Sequence, residues 1–138
     1  MFKDTELLAF YKSVDFNEPL TITALPVSLK SNFQEMIVID NPITVATILP
    51  LIFLFSHNPQ SNSMIPNYKN RGKDRNCYSM YIDYAIDDNI KLKYLYDFYK
   101  QLELHKDNQE ITDIIKFLDK VIADKRLNYL VFDFMCYE

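Results

Sequence analysis

Few side chains in this chain carry reactive or metal-binding chemistry. There are two histidines, His57 and His105, and two cysteines, Cys77 and Cys136. Neither histidine has a second ligand at the spacing that metal centres use. Two thiols do not make a disulfide framework, and buried cysteines act as small hydrophobes. Cys77 and Cys136 each lie at the end of a strand-like run, so they meet only if those strands pair. Ser56 and His57 are sequence neighbours, an arrangement that rarely makes a working nucleophile–base pair, and no nucleophile motif surrounds them.

Carboxylates are the plentiful group: Asp83, Asp87, Asp88, Asp97, Glu103, Asp133 and Glu138. Asp83 and Asp133 fall on the more polar faces of two strand-like runs. If those strands are neighbours, the two groups can approach, as a paired-carboxylate hydrolase requires. The same placement would also offer an acidic patch to a basic partner. The plainest outcome is that both face solvent. The expectation is therefore a binding protein with no catalytic residues, no metal and no cofactor, and a small hydrolase on Asp83 and Asp133 is an alternative.

The composition narrows the partner class. The chain has 138 residues, 49% hydrophobic and 25% charged, which fits one globular domain spanning residues 1–138. The net charge of −4 argues against direct nucleic-acid binding, which needs clustered Lys and Arg, and favours a basic protein. A single glycine, Gly72, leaves no Gly-rich phosphate loop. Ten Tyr and ten Phe suit strands and core packing first and an interface second. The N-terminal MFKDTELLAF lacks an apolar signal region, so the expected compartment is the cytoplasm.

The elements that must position any site are organised around Asn41–Ser56, NPITVATILPLIFLFS. Asn41 reads as a helix cap and Pro42 as the first helical residue. The uncharged run is shorter than the roughly 20 residues of a membrane span and contains Pro50, so it is expected in a core. Pro50 either kinks one helix or starts a second. Residues 5–14 read as a helix, or 10–16 as a strand. Leu20–Leu25 alternates between Pro19 and Pro26, which points to a strand confined to an edge or an end. Glu35–Asp40 is a further strand-length run. Residues 57–76 form a long Asn/Ser/Pro-rich loop holding the basic run Lys69–Arg75.

Tyr78–Ile86 alternates cleanly, with Met80 and Ile82 on one face and Tyr81 and Asp83 on the other. Asp87 and Asp88 form a turn into a helix over Ile90–Leu104, with a stripe of Tyr94, Leu95, Phe98, Tyr99 and Leu102. Asp107 and Glu110 have the spacing of a capping box before a second helix. That helix has an apolar stripe of Ile111, Ile114, Ile115, Leu118, Val121 and Ile122, and Asp124-Lys125-Arg126 ends it. Asn128–Tyr137 alternates with two apolar faces, as a central strand does. The expected fold class is α+β: a small antiparallel or mixed sheet packed against about three helices.

The order of elements from Asp40 to Glu138 resembles that of small cytosolic immunity proteins of bacterial polymorphic-toxin and contact-dependent growth inhibition systems. The likeness rests on LPLIFLFSHNPQSNS (Leu49–Ser63), KYLYDFY (Lys93–Tyr99), IIKFLDKV (Ile114–Val121) and YLVFDFMCYE (Tyr129–Glu138). It implies a monomer or weak homodimer that binds the C-terminal domain of a cognate toxin, often a basic nuclease, and blocks its active site. A phage- or mobile-element-encoded inhibitor of a host protein would look the same. No binding residue transfers from that family by position. The candidate partner-binding residues, read from exposed faces, are Tyr81, Asp83, Asp87 and Asp88, with Asp97 and Glu103 behind them.

Overall fold

The computed structural model describes residues 4–26, 34–55, 77–83 and 89–135. The element order is α1 (Asp4–Ser13), β1 (Leu20–Leu25), β2 (Glu35–Ile39), α2 (Pro42–Phe55), β3 (Cys77–Asp83), α3 (Asn89–Glu103), α4 (Gln109–Ala123) and β4 (Tyr129–Met135). The strands form one antiparallel sheet in the order β2-β1-β4-β3. The fold is α+β.

The last strand lies in the middle, between β1 and β3. Its two apolar faces explain why. Leu130, Phe132 and Phe134 join the main core under the helices, together with Leu20, Ile22 and Ala24 of β1 and Met80 and Ile82 of β3. On the other face Val131 is fully buried and packs with Leu25 and Tyr129. The proline brackets do not confine β1 to an edge, because it pairs with β2 on one side and β4 on the other. Pro19 and Pro26 stand just outside Leu20–Leu25, so neither removes a ladder hydrogen bond.

The helices cover the core face. Leu95, Phe98 and Leu102 of α3 are fully buried at i, i+3, i+7 spacing. Tyr94 is not part of that stripe; its 43% exposure places it outward. On α4, Ile111, Ile114, Leu118 and Val121 are fully buried, while Asp113, Lys116, Asp119 and Lys120 are exposed as the periodicity requires.

Pro50 lies inside one continuous helix. A proline there has no N–H to give the carbonyl four residues back, which leaves Ala46 O without its helical donor. The Tyr11 hydroxyl, from α1, donates to Ala46 O at 2.8 Å. The proline thus creates an acceptor that ties α1 to α2, and burial raises the Tyr11 phenol above its ordinary pKa. Tyr11→Phe should cost about 1–2 kcal/mol, the penalty of a partly buried carbonyl left unmade. In a Pro50→Ala background, where residue 50 can donate to Ala46 O, the same change should cost clearly less. Urea unfolding of the four proteins in this cycle measures the difference, and equal costs in both backgrounds would refute the link.

The α4 cap is Asn108, not Asp107. Asn108 Oδ1 accepts from the backbone N–H of Glu110 and of Ile111, and its Nδ2 donates to the buried hydroxyl of Thr44 on α2 at 3.0 Å. Glu110 does not fold back to close a capping box. Its Oε2 instead accepts from Asp40 N at 3.1 Å and Asn41 N at 3.4 Å, at the entrance to α2. Asn41 caps α2 through Oδ1 to Ile43 N at 2.9 Å, with Pro42 first in the helix. The starts of α2 and α4 are thus fastened to each other. No described helix is long and apolar enough to cross a membrane.

Candidate functional site

The carboxylate pair does not assemble. β3 and β4 are neighbours, but the register sets Asp133 opposite Ser79 and Asp83 opposite Tyr129. Four residues of strand separate the two, about 13 Å at the usual rise per residue. Asp133 does not face solvent either: it is 5% exposed and already partnered. It lies between β1 and β3 on the sheet's second face, where Thr23 is fully buried and Met135 nearly so. This geometry gives no shared position for a general acid and a general base.

The other candidate residues separate into three groups. Tyr81 sits opposite Val131 in the register, two places from Asp83 on β3. Asp87 and Asp88 lie outside the described residues, as do Ser56, His57, Cys136 and the loop 57–76. Cys77 is opposite Met135. Asp97 and Glu103 are both on α3, but six positions apart, which is about 120° around the helix. Asp97 is bridged to Lys93 at 2.7 Å and Glu103 to Lys106 at 3.2 Å. Exposed pairs of this kind contribute roughly 0–1 kcal/mol each. Among the described residues there is no cluster of three or more His, Cys, Asp or Glu suited to a metal.

A different set of side chains converges between α3 and α4. Tyr96 and Tyr99 of α3 and Asp119, Ile122 and Ala123 of α4 line a cleft of about 190 Å³. Tyr96, Tyr99 and Glu103 recur at i, i+3, i+7, a second stripe beside the buried one of Leu95, Phe98 and Leu102. The core stripe holds α3 against the sheet, and the offset stripe therefore faces α4. The Tyr99 hydroxyl donates to Asp119 Oδ1 at 2.7 Å, which joins the two helices at the cleft. Tyr96 remains 44% exposed, and Ile122 packs on the main core while lining the opening.

The surroundings of Tyr99 favour its protonated form. The hydrogen bond to Asp119, then burial, then the negative charges of Asp119 and Glu103 push the Tyr99 phenol up to about 12. A group whose folded pKa is raised stabilises the fold below its unfolded pKa, near 10, and that contribution is lost as pH rises from about 10 through 12. Tyr99 should therefore still be protonated at pH 11 while exposed tyrosines ionise. Tyrosine ring-carbon NMR shifts followed against pH, with Tyr99→Phe to assign the late resonance, check this. Ionisation of Tyr99 together with the bulk tyrosines would contradict the bond to Asp119.

The residue pattern alone puts Tyr99 in the core stripe and Asp119 on the wet face of its helix, and gives Tyr96 no part. The available signal was the i, i+3, i+7 recurrence of Tyr96, Tyr99 and Glu103, whose partners stand on another helix. Comparison of the chain with protein-family models, with curated proteins and with solved structures finds no match to any of them.

Proposed function

We propose that this chain is a binding protein without catalytic turnover, a stoichiometric inhibitor of the immunity type that occupies the active site of a basic toxin domain in the cytoplasm. The observation that carries the reading is the α3–α4 face, where two tyrosines and the Asp119 carboxylate line an open cleft. Tyrosine offers a large contact area with little rotamer entropy to lose, and it is enriched where interfaces concentrate their energy. The chain's net charge of −4 would speed encounter with a basic surface and disfavour nucleic acid itself. The fold makes the same face rigid, because α3 and α4 are anchored by fully buried residues on their inner sides.

The test is coexpression with the product of the gene immediately upstream. The expected result is a one-to-one complex that survives gel filtration and restores growth when that product is toxic. Absence of both complex and rescue would overturn the reading. Catalytic turnover of the partner or its substrate by this chain would overturn it as well.

A further inference from the structure

We infer that the α3–α4 cleft receives a single arginine side chain of the partner, its guanidinium stacked on Tyr96 and paired with Asp119. The inference rests on the binding reading above and assigns the chemistry of its central contact.

Size limits the occupant first. At about 190 Å³ the cleft falls below the roughly 300–1,000 Å³ of small-molecule pockets. It has room for about six water-sized groups, on the scale of one long side chain. Chemistry limits it further. The walls are the rings of Tyr96 and Tyr99 with the apolar Ile122 and Ala123, and Asp119 is the one charged group of the lining. A long apolar stem with a cationic tip matches that order of surfaces, and an anion or a neutral aliphatic chain does not.

The state of Asp119 supports the assignment. Tyr99 occupies Oδ1, and the side chain is exposed, so Oδ2 is open to a further donor. Among the described residues Asp119 forms no salt bridge, unlike Asp97, Glu103, Asp124 and Glu35, each of which has a Lys or Arg partner. A cation–π contact over Tyr96 and a charge-assisted bond to Asp119 would then act on the same group. Arginine meets both demands better than lysine. Its planar, weakly hydrated guanidinium stacks on a ring while donating in its own plane, whereas an ammonium is a compact and strongly hydrated charge.

The test uses the intact chain and blocked amino acids as probes. N-acetyl-arginine amide and its uncharged isostere N-acetyl-citrulline amide are titrated at millimolar concentrations, with the Tyr96, Tyr99 and Ile122 resonances followed by NMR. The arginine probe should give saturable shifts at these three residues and bind about tenfold more tightly than citrulline. In Asp119→Asn, which keeps an acceptor for Tyr99, the preference for arginine should vanish. In Tyr96→Ala both probes should weaken. Equal binding of the two probes to the wild type, or no saturable shift at the cleft, would overturn the inference. So would an arginine preference that survives Asp119→Asn. Arginine binding without complex or rescue in the coexpression test would overturn the immunity reading and leave the cleft's chemistry standing. A complex formed by a chain whose cleft binds no arginine would do the reverse.

Discussion

Phe98→Ala should destabilise the protein by about 3–5 kcal/mol, a large share of the roughly 5–15 kcal/mol that holds such a domain together. Phe98 is fully buried on α3. Its ring meets Phe132 of the central strand edge-on at 5.5 Å between centroids and lies 6.5 Å from Phe55 near the end of α2. One side chain therefore connects α3, β4 and α2. Truncation removes its apolar area from the core and leaves a cavity that three separately anchored elements cannot readily collapse to fill. Aromatic pairing adds to that loss, because edge-to-face partners are worth roughly 0.5–1.5 kcal/mol beyond area. Phe98→Leu keeps most of the volume and should cost much less, about 1–1.5 kcal/mol. Thermal and urea unfolding of the two variants would measure this. A shift below about 1 kcal/mol for the alanine variant would mean that α3 does not pack on the sheet as described.

Elements whose pattern is local were readable from the residues alone. The α4 stripe from Ile111 to Val121 and the double alternation of β4 each contain their own evidence, since periodicity reports which faces are buried. β4 lies in the middle of the sheet because both of its faces are apolar, and a central position buries both. Features set by a distant partner were not readable. The effect of Pro50 depends on a hydroxyl from Tyr11. The cap at Asn108 rather than Asp107 also has a distant partner, because the Asn108 amide donates to Thr44 on α2. Asp133 looks wet in a period-2 pattern and is buried, on a face of the sheet that also buries Thr23 and Val131.

The candidate face followed the same division. Carboxylates read strand by strand do not come together, because register, which no single strand encodes, sets Asp83 and Asp133 apart. On α3, Asp97 and Glu103 both read as outward-facing, and helical rotation points them to different sides. The cleft instead uses a flank of α3 that is neither core nor fully exposed, opposite the matching flank of α4. A half-buried tyrosine at such a position suits both packing and binding, so composition alone does not separate the two. What distinguishes Tyr99 is the Asp119 carboxylate beneath its hydroxyl, a contact between residues on two helices.

If that cleft is the centre of the interface, Asp119→Lys should weaken the complex with the cognate partner by at least 100-fold, and Tyr96→Ala by about 30-fold. The first figure corresponds to about 2.7 kcal/mol and the second to about 2 kcal/mol, within the range of central interface residues. Charge reversal removes an acceptor, leaves the incoming cation without a counter-charge and adds a repulsive one, so it should exceed the loss of a stacking surface. Most of the effect should appear in the dissociation rate, because local contacts act after encounter. The association rate should instead fall with added salt in the wild type, reflecting the chain's overall negative charge. Neither change should unfold the protein, since Asp119 is exposed and Tyr96 is 44% exposed. Asp83→Lys provides the contrast: Asp83 belongs to β3, and α3 and α4 supply every residue lining the cleft. Surface plasmon resonance at two salt concentrations separates these contributions. Full affinity in Asp119→Lys with a large loss in Asp83→Lys would move the interface to the strand face and remove the cleft from it.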